Sequence, residues 1–278
     1  MDTRGRTNSA KRAVCAPANG SGGVPAVVKA VRLLDTLAAA KEPLSLAALT
    51  QALALPKSTV HALCATLMQA RLVTRFESGT YHLGMHVMDL SHALLARTDI
   101  TVEFMKLWDS LALLPEETVI LSVLDDADVV YIACCNGTRP LGLNFRIGMR
   151  LPANCTASGK ALLSTLSPER IAELESGGGL RRLTRRSVTR TDQLLNQLAQ
   201  VRSRGYSVDD EETRDGMICF GAPVFDSRSE QAAAGIGISL VKGALNKRQK
   251  ILAIQAVQRL AAALSKRLGA RGLSANTA

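Results

Sequence analysis

The stretch from Pro25 to Leu83 constrains the chain most, because three helical patterns run straight into a hairpin pattern. Pro25 to Lys41 carries apolar residues at Val27, Val28, Val31, Leu34 and Leu37, the spacing of a helix with one buried stripe. Pro43 stops it, and Ser45 is placed to cap a second helix over Leu46–Ala52. Ala54-Leu55-Pro56 reads as a turn. Lys57–Ala70 then reads as a third helix, with Val60, Leu63, Cys64 and Leu67 facing inward. Leu72–Phe76 and Thr80–Leu83 flank a Glu77-Ser78-Gly79 turn and predict a hairpin. Three helices followed by a hairpin is the order of a winged helix-turn-helix.

Gly84 opens another amphipathic helix to about Thr98, with Val87, Leu90, Leu94 and Leu95 on its apolar side. Beyond it, Val102–Leu114 is helical, and Thr118–Leu124 and Val129–Cys134 are strands around an Asp125-Asp126-Ala127-Asp128 turn. Pro140–Ile147 is expected as a third strand. Helices follow over Thr156–Leu166, Pro168–Glu175 and Asp192–Arg204, strands over Ser207–Asp209, Ile218–Phe225 and Ala233–Leu240, and a closing helix over Lys247–Leu268. Strands in runs with helices at their ends predict an α+β fold with an antiparallel sheet. The organisation expected is a disordered basic arm (1–24), a winged helix-turn-helix (25–84), a linker helix (85–100), a second domain (101–268) and a disordered tail (269–278).

The chain has 278 residues and a net charge of +10. Residues 1–85 hold ten Lys/Arg against four Asp/Glu, so much of the excess lies on the helix-turn-helix end. A polyanionic partner fits that distribution. Two other basic groups, Arg181 to Arg190 and Lys247 to Arg267, read as solvated surface. Aromatic residues make up only 3%, too few for the stacking platforms of single-strand binding. The six Cys lack paired metal spacing and read as reduced thiols of a cytoplasmic protein. No apolar run is long enough to cross a membrane.

Two strings, one in each half, carry a resemblance. The first is Ser45-Leu46-Ala47-Ala48-Leu49, then Leu55-Pro56-Lys57-Ser58-Thr59-Val60-His61, then Tyr81-His82-Leu83-Gly84. The second is Pro152-Ala153-Asn154-Cys155-Thr156-Ala157-Ser158-Gly159-Lys160-Ala161, followed by Gly205-Tyr206-Ser207-Val208-Asp209-Asp210-Glu211-Glu212 and Cys219-Phe220-Gly221-Ala222-Pro223-Val224. In this order they resemble the IclR family of bacterial transcriptional regulators, from about residue 25 to 268. The resemblance implies a winged helix-turn-helix that binds a double-stranded DNA operator. It also implies a GAF-like domain that binds a small effector, typically an organic acid or catabolic intermediate, and a symmetric dimer or tetramer.

Lys57, Ser58, Thr59 and His61 stand at the start of the third helix, which would enter the major groove N-terminus first. Arg75 on the wing reads equally as a grip on phosphate or as an ordinary surface arginine. Ser58 or Thr59 as a simple helix cap is the competing reading. Ala62 departs from the Arg frequent in the family. The effector lining implied by motif position is Leu143, Leu151, Ala157, Ser158, Asp209, Met217, Cys219 and Ser239. Leu143, Leu151 and Met217 would form apolar walls, and amides at Ala157, Ser158 and Gly159 would hold a carboxylate. Asp209 would accept from a ligand hydroxyl or serve its own acidic turn, and Cys219 would be a wall. Gly237 stands where the family can carry Ser.

An enzyme is not expected. All four His (His61, His82, His86 and His92) lie in the first 92 residues, so the second half has no Ser–His or Cys–His couple. No phosphate loop, dinucleotide fingerprint, cofactor motif or metal motif occurs. The alternative carried forward is a thiol-based redox sensor using Cys134, Cys135, Cys155 or Cys219.

Overall fold

The patterns resolve into two units, residues 1–96 and 97–278, in a computed structural model that describes residues 24–96, 99–111, 116–137, 145–176 and 179–270. The expected basic arm up to residue 23, most of the tail and Leu143 lie outside the described residues.

In the first unit, α1 (Pro25–Ala39) leads through a short β1 (Leu44–Ser45) to α2 (Leu46–Leu53) and α3 (Lys57–Gln69). Ser45 Oγ accepts from the Ala48 amide and so caps α2. Ala54 turns the chain in the left-handed region, φ 53°. An alanine pays about 1–2 kcal/mol for that conformation, which the packing on either side must impose. Pro56 follows as N-cap of α3. β2 (Val73–Arg75) and β3 (Thr80–Leu83) form the wing, and β1 joins β3 to complete a three-stranded sheet that the sequence did not announce. α4 (His86–Ala96) closes the unit.

Leu33, Leu37, Leu49, Leu53, Val60, Cys64, Leu67, Val73 and Tyr81 make its core. One expectation holds only for Leu34 and Leu37. The face of α1 turned inward is Leu33 and Leu37, flanked by Ala30 and Leu34. Val27, Val28 and Val31 are exposed instead. α1 therefore has two apolar sides, and spacing alone does not say which one packs. α4 shows Met85 just ahead of it, Met88 and Leu90 to solvent as well.

The second unit is built on a six-stranded antiparallel sheet in the order β6 (Arg150–Pro152), β5 (Asp128–Cys135), β4 (Thr118–Asp125), β9 (Ala234–Val241), β8 (Met217–Val224) and β7 (Ser207–Asp210). α5 (Asp99–Leu111) precedes β4 (Thr118–Asp125) and β5 (Asp128–Cys135), which meet at the predicted Asp125–Asp128 turn. The strand beside β5 is β6 (Arg150–Pro152), not the expected Pro140–Ile147. Phe145–Ile147 is not a strand, because the chain turns at Gly148 (φ 80°) and pairs only beyond it, Met149 accepting from the Tyr131 amide. Residues 140–144 of that expectation lie outside the described ones.

α6 (Ala157–Leu163), α7 (Pro168–Ser176) and α8 (Thr191–Arg204) then lead to β7 (Ser207–Asp210), β8 (Met217–Val224), β9 (Ala234–Val241) and α9 (Lys247–Arg267). Period-two alternation splits the sheet between two cores. Ile218, Phe220, Val224, Ile236 and Ile238 join α5 and α9 in one core. Ile120, Tyr131, Met217 and Cys219 join α6 and α8 in the other. Among the described residues no helix is long and apolar enough to cross a membrane.

Candidate functional site

The first candidate site is the leading edge of α3. Its N-cap is Pro56, with no side-chain cap, and the first helical bond runs from the Val60 amide to the Pro56 carbonyl at 3.1 Å. Neither Ser58 nor Thr59 is spent as the helix cap. Lys57, Ser58 and His61 are exposed and Thr59 half-buried, while Val60 and Cys64 anchor the other side. A short, polar, positively charged edge is held by an apolar root. Arg75 is exposed on β2, its guanidinium 5.7 Å from the Tyr81 ring centroid. The wing turn is stiffened by Phe76 stacked on His82, ring centroids 4.3 Å apart.

The second candidate is a cavity in the second unit, between the inner face of the sheet and α6. It is lined by Ile120, Tyr131, Phe145, Thr156, Ala157, Ser158, Asp209, Thr213, Met217, Cys219, Gly237 and Ser239. As described, it has room for about one water molecule. Six of the eight residues expected from the sequence line it: Ala157, Ser158, Asp209, Met217, Cys219 and Ser239. Leu151 does not, and that expectation is corrected. It sits on β6 opposite Val129, half-buried in the same core but off the cavity wall. Ile120, Tyr131, Phe145, Thr156 and Thr213 were not foreseen. Ile120 and Tyr131 could have been read from strand alternation, since both are inward positions of the predicted hairpin strands.

α6 reaches this place because the sheet below it has no side chains in the way. A Cβ on Gly221 would lie 2.6 Å from the Ala157 backbone, and one on Gly235 would lie 2.6 Å from the Ser158 carbonyl oxygen. All seven residues of α6 are buried. Thr156 caps it, its hydroxyl accepting from the Gly159 amide. That bond uses one of the amides at this short helix start, so less is left for a carboxylate than the sequence suggested.

The polar groups around the cavity are tied to one another. Ser122 donates to Ser158 at 2.9 Å, and the Cys219 thiol donates to the Ser239 hydroxyl at 3.2 Å. Asp209 Oδ1 accepts from the Glu212 and Thr213 amides at 2.7 and 3.1 Å. Asp209 therefore caps its own turn, as one of its two readings had it, and it also lies on the cavity wall. Burial pushes its carboxyl above the ordinary range, against the pull of Thr213 and Lys160. Lys160, one of the largest fully buried side chains, donates to Glu212 at 2.5 Å and to Gln197 at 2.8 Å. Burial also raises the Glu212 carboxyl, whose second oxygen has no hydrogen-bond partner among the described residues.

The thiols argue against the redox alternative. Burial pushes Cys134, Cys135 and Cys155 up to about 11, and Cys219 well above its ordinary value. Redox-sensing thiols are poised the other way, as accessible thiolates. Among the described residues no group of His, Cys, Asp or Glu is placed to hold a metal ion.

A winged helix-turn-helix with an uncapped, basic leading edge, joined to a separate cavity-bearing α+β unit, is the build of a DNA-binding transcriptional regulator. Comparison with known proteins agrees. Residues 26–76 match the IclR helix-turn-helix domain, and residues 92–266 match the bacterial transcriptional regulator IclR C-terminal domain. The chain belongs to the IclR family. It is similar to the probable transcriptional regulator SauR of Cupriavidus necator, 35% identical over 75% of this chain and 83% of that protein. Among solved structures it resembles the repressor BlcR of Agrobacterium tumefaciens, at 40% identity and a TM-score of 0.59, covering 90% of this chain and 99% of that one. It also resembles the IclR of Thermotoga maritima, at 25% identity and a TM-score of 0.72, covering 87% and 98%.

Proposed function

We propose that this regulator binds its operator through Lys57, Ser58, Thr59 and His61, with Arg75 on phosphate, and that a small effector in the second unit sets operator affinity. The observation that carries the effector half is the cavity itself. An ordinary core closes on aliphatic side chains, but this one gathers four hydroxyls, a carboxyl and a phenol around a small void. These groups satisfy one another in the closed cavity, and they offer ready partners to a small polar molecule with a short apolar body. An organic acid meets that description. The effector acts by binding two arrangements of the protein with different affinity, the only way a ligand can shift an equilibrium.

A second copy of the chain is the partner that fits the first unit. Val27, Val28 and Val31 of α1, with Met85, Met88 and Leu90 at α4, form apolar surface that its own core does not use. Two copies joined there would offer paired α3 helices to a pseudo-palindromic operator.

Selection of bound duplexes from a random pool tests the DNA half. One sequence family should emerge, and its binding should weaken steeply with salt. Thermal shift with small organic acids, followed by operator titration, tests the effector half. A binder should raise the melting temperature through linkage and change operator Kd. Equal affinity for all DNA in the pool would defeat the first claim, and a sensor unit indifferent to every acid would defeat the second.

A further inference from the structure

We propose that the cavity, widening from a void of about one water molecule, takes up an organic acid together with one proton, which the ligand's carboxyl and the Asp209 carboxyl then share. This rests on the effector reading above and concerns how that same site is filled.

The argument is one of charge. Among the described residues the lining includes one carboxyl, Asp209, and no Lys, Arg or His. The buried ammonium of Lys160 is already engaged, 2.5 Å from Glu212 Oε1 and 2.8 Å from Gln197 Oε1. Before any ligand arrives, the buried cluster holds two carboxyl groups and one ammonium. An ionised ligand carboxylate would add a further negative charge where Asp209 is 1% exposed. Two carboxylates confined to one dry site do not both stay ionised, and a shared proton resolves the conflict.

The other groups facing Asp209 do not supply the missing positive charge. Tyr131 from β5, Cys219 from β8 and Cys155 ahead of α6 are held in their neutral, protonated forms by burial. From the turn beyond β7, Glu212 and Thr213 give Asp209 Oδ1 their amides, and the Glu212 carboxyl adds negative charge of its own. Ser158, Ser239 and Thr156 can donate hydroxyls to a carboxylate but bring no charge.

The test is calorimetric titration of the full chain with acetate, propionate, lactate and benzoate, and with their primary amides, between pH 6 and 9. Two buffers of different ionisation enthalpy give the proton count. Wherever Asp209 is ionised in the free chain, acid binding should take up about one proton and weaken about tenfold per pH unit. The amides should bind with no proton uptake and no pH trend. Asp209→Asn keeps an oxygen for the turn amides, so it should bind the acids without a pH trend and more tightly than the unaltered chain at pH 8. If that variant does not fold, the proton count on the unaltered chain decides alone. Acids that bind with no proton uptake and flat affinity overturn the inference but leave the effector reading intact. Failure of every acid and amide to bind removes the effector reading and this inference with it.

Discussion

The two units place their polar chemistry in opposite directions. The first keeps Leu33, Leu49 and Val60 inside and sends Lys57, Ser58 and His61 outward on a helix edge. The second turns hydroxyls and acids inward, toward Ser158, Asp209 and Ser239, and binds Lys160 within its own core. On the proposed function, the difference follows from what each unit is to recognise. Duplex DNA is too large to enclose, so its reader is a protruding edge whose side chains stay solvated until contact. A small molecule can be surrounded, so its reader is a set of groups dried and oriented in advance. Energetically, the first site is cheap to build and easily altered. The second stores buried polar groups that punish any lost partner.

The strongest way to break this comparison is Lys160→Met. It leaves Glu212 buried and unpaired, which should cost the second unit about 3–5 kcal/mol. Hydrogen exchange should show faster opening of α6 and β7 with no change in α1–α3. Adding Glu212→Leu should restore most of the loss, because an apolar pair replaces an ionic one without a stranded charge. A single-residue effect on both units, or none on either, would contradict the separation argued here.

On the exposed edge the effects should be smaller and confined to DNA. Lys57→Ala should weaken operator binding about tenfold and reduce the salt slope by about 1, read by fluorescence anisotropy at several salt concentrations. Its melting temperature should not move. Ser45→Ala sharpens the same contrast from the side of stability. Loss of the cap on α2 should cost the first unit about 1 kcal/mol in denaturant unfolding, with cavity ligands binding as before.

The smallest effect is pH-linked. The folded chain raises the Asp209 carboxyl, so it holds that proton more tightly than the unfolded chain does. The stabilising contribution is complete below the unfolded carboxyl's range and is lost as pH rises through the folded one. Asp209→Asn should therefore gain stability relative to the unaltered chain as pH increases. A gain that shrinks between pH 5 and 8 would reverse the assigned direction.

Much of this was legible because local chemistry announced it. Ser45 before an apolar run, the acidic turn at Asp125–Asp128, and the Thr156 start of α6 each carry a short-range cause. The pocket positions Ala157, Ser158, Asp209, Met217, Cys219 and Ser239 came from family resemblance, not from any pattern the chain alone makes plain. What escaped was non-local. Lys160 reads as a surface lysine, since its acidic partner Glu212 stands 52 residues away. Val27, Val28 and Val31 have helical spacing equal to that of Leu33 and Leu37, and only the packing of α2 and α3 chooses between the two sides. The pairing that begins at Arg150 depends on a turn at Gly148 rather than on the β-prone residues before it.

The bare glycine track beneath α6 has a consequence for how ligand preference can change. With backbone resting on backbone at Gly221 and Gly235, the seat of α6 on the sheet tolerates no new side chain at those two positions. Diversity must enter through the remaining walls, at Ile120, Tyr131, Thr213 and Met217. A library randomised at those four positions should yield altered effector choice, whereas one randomised at the two glycines should yield mainly chains that fail to accumulate.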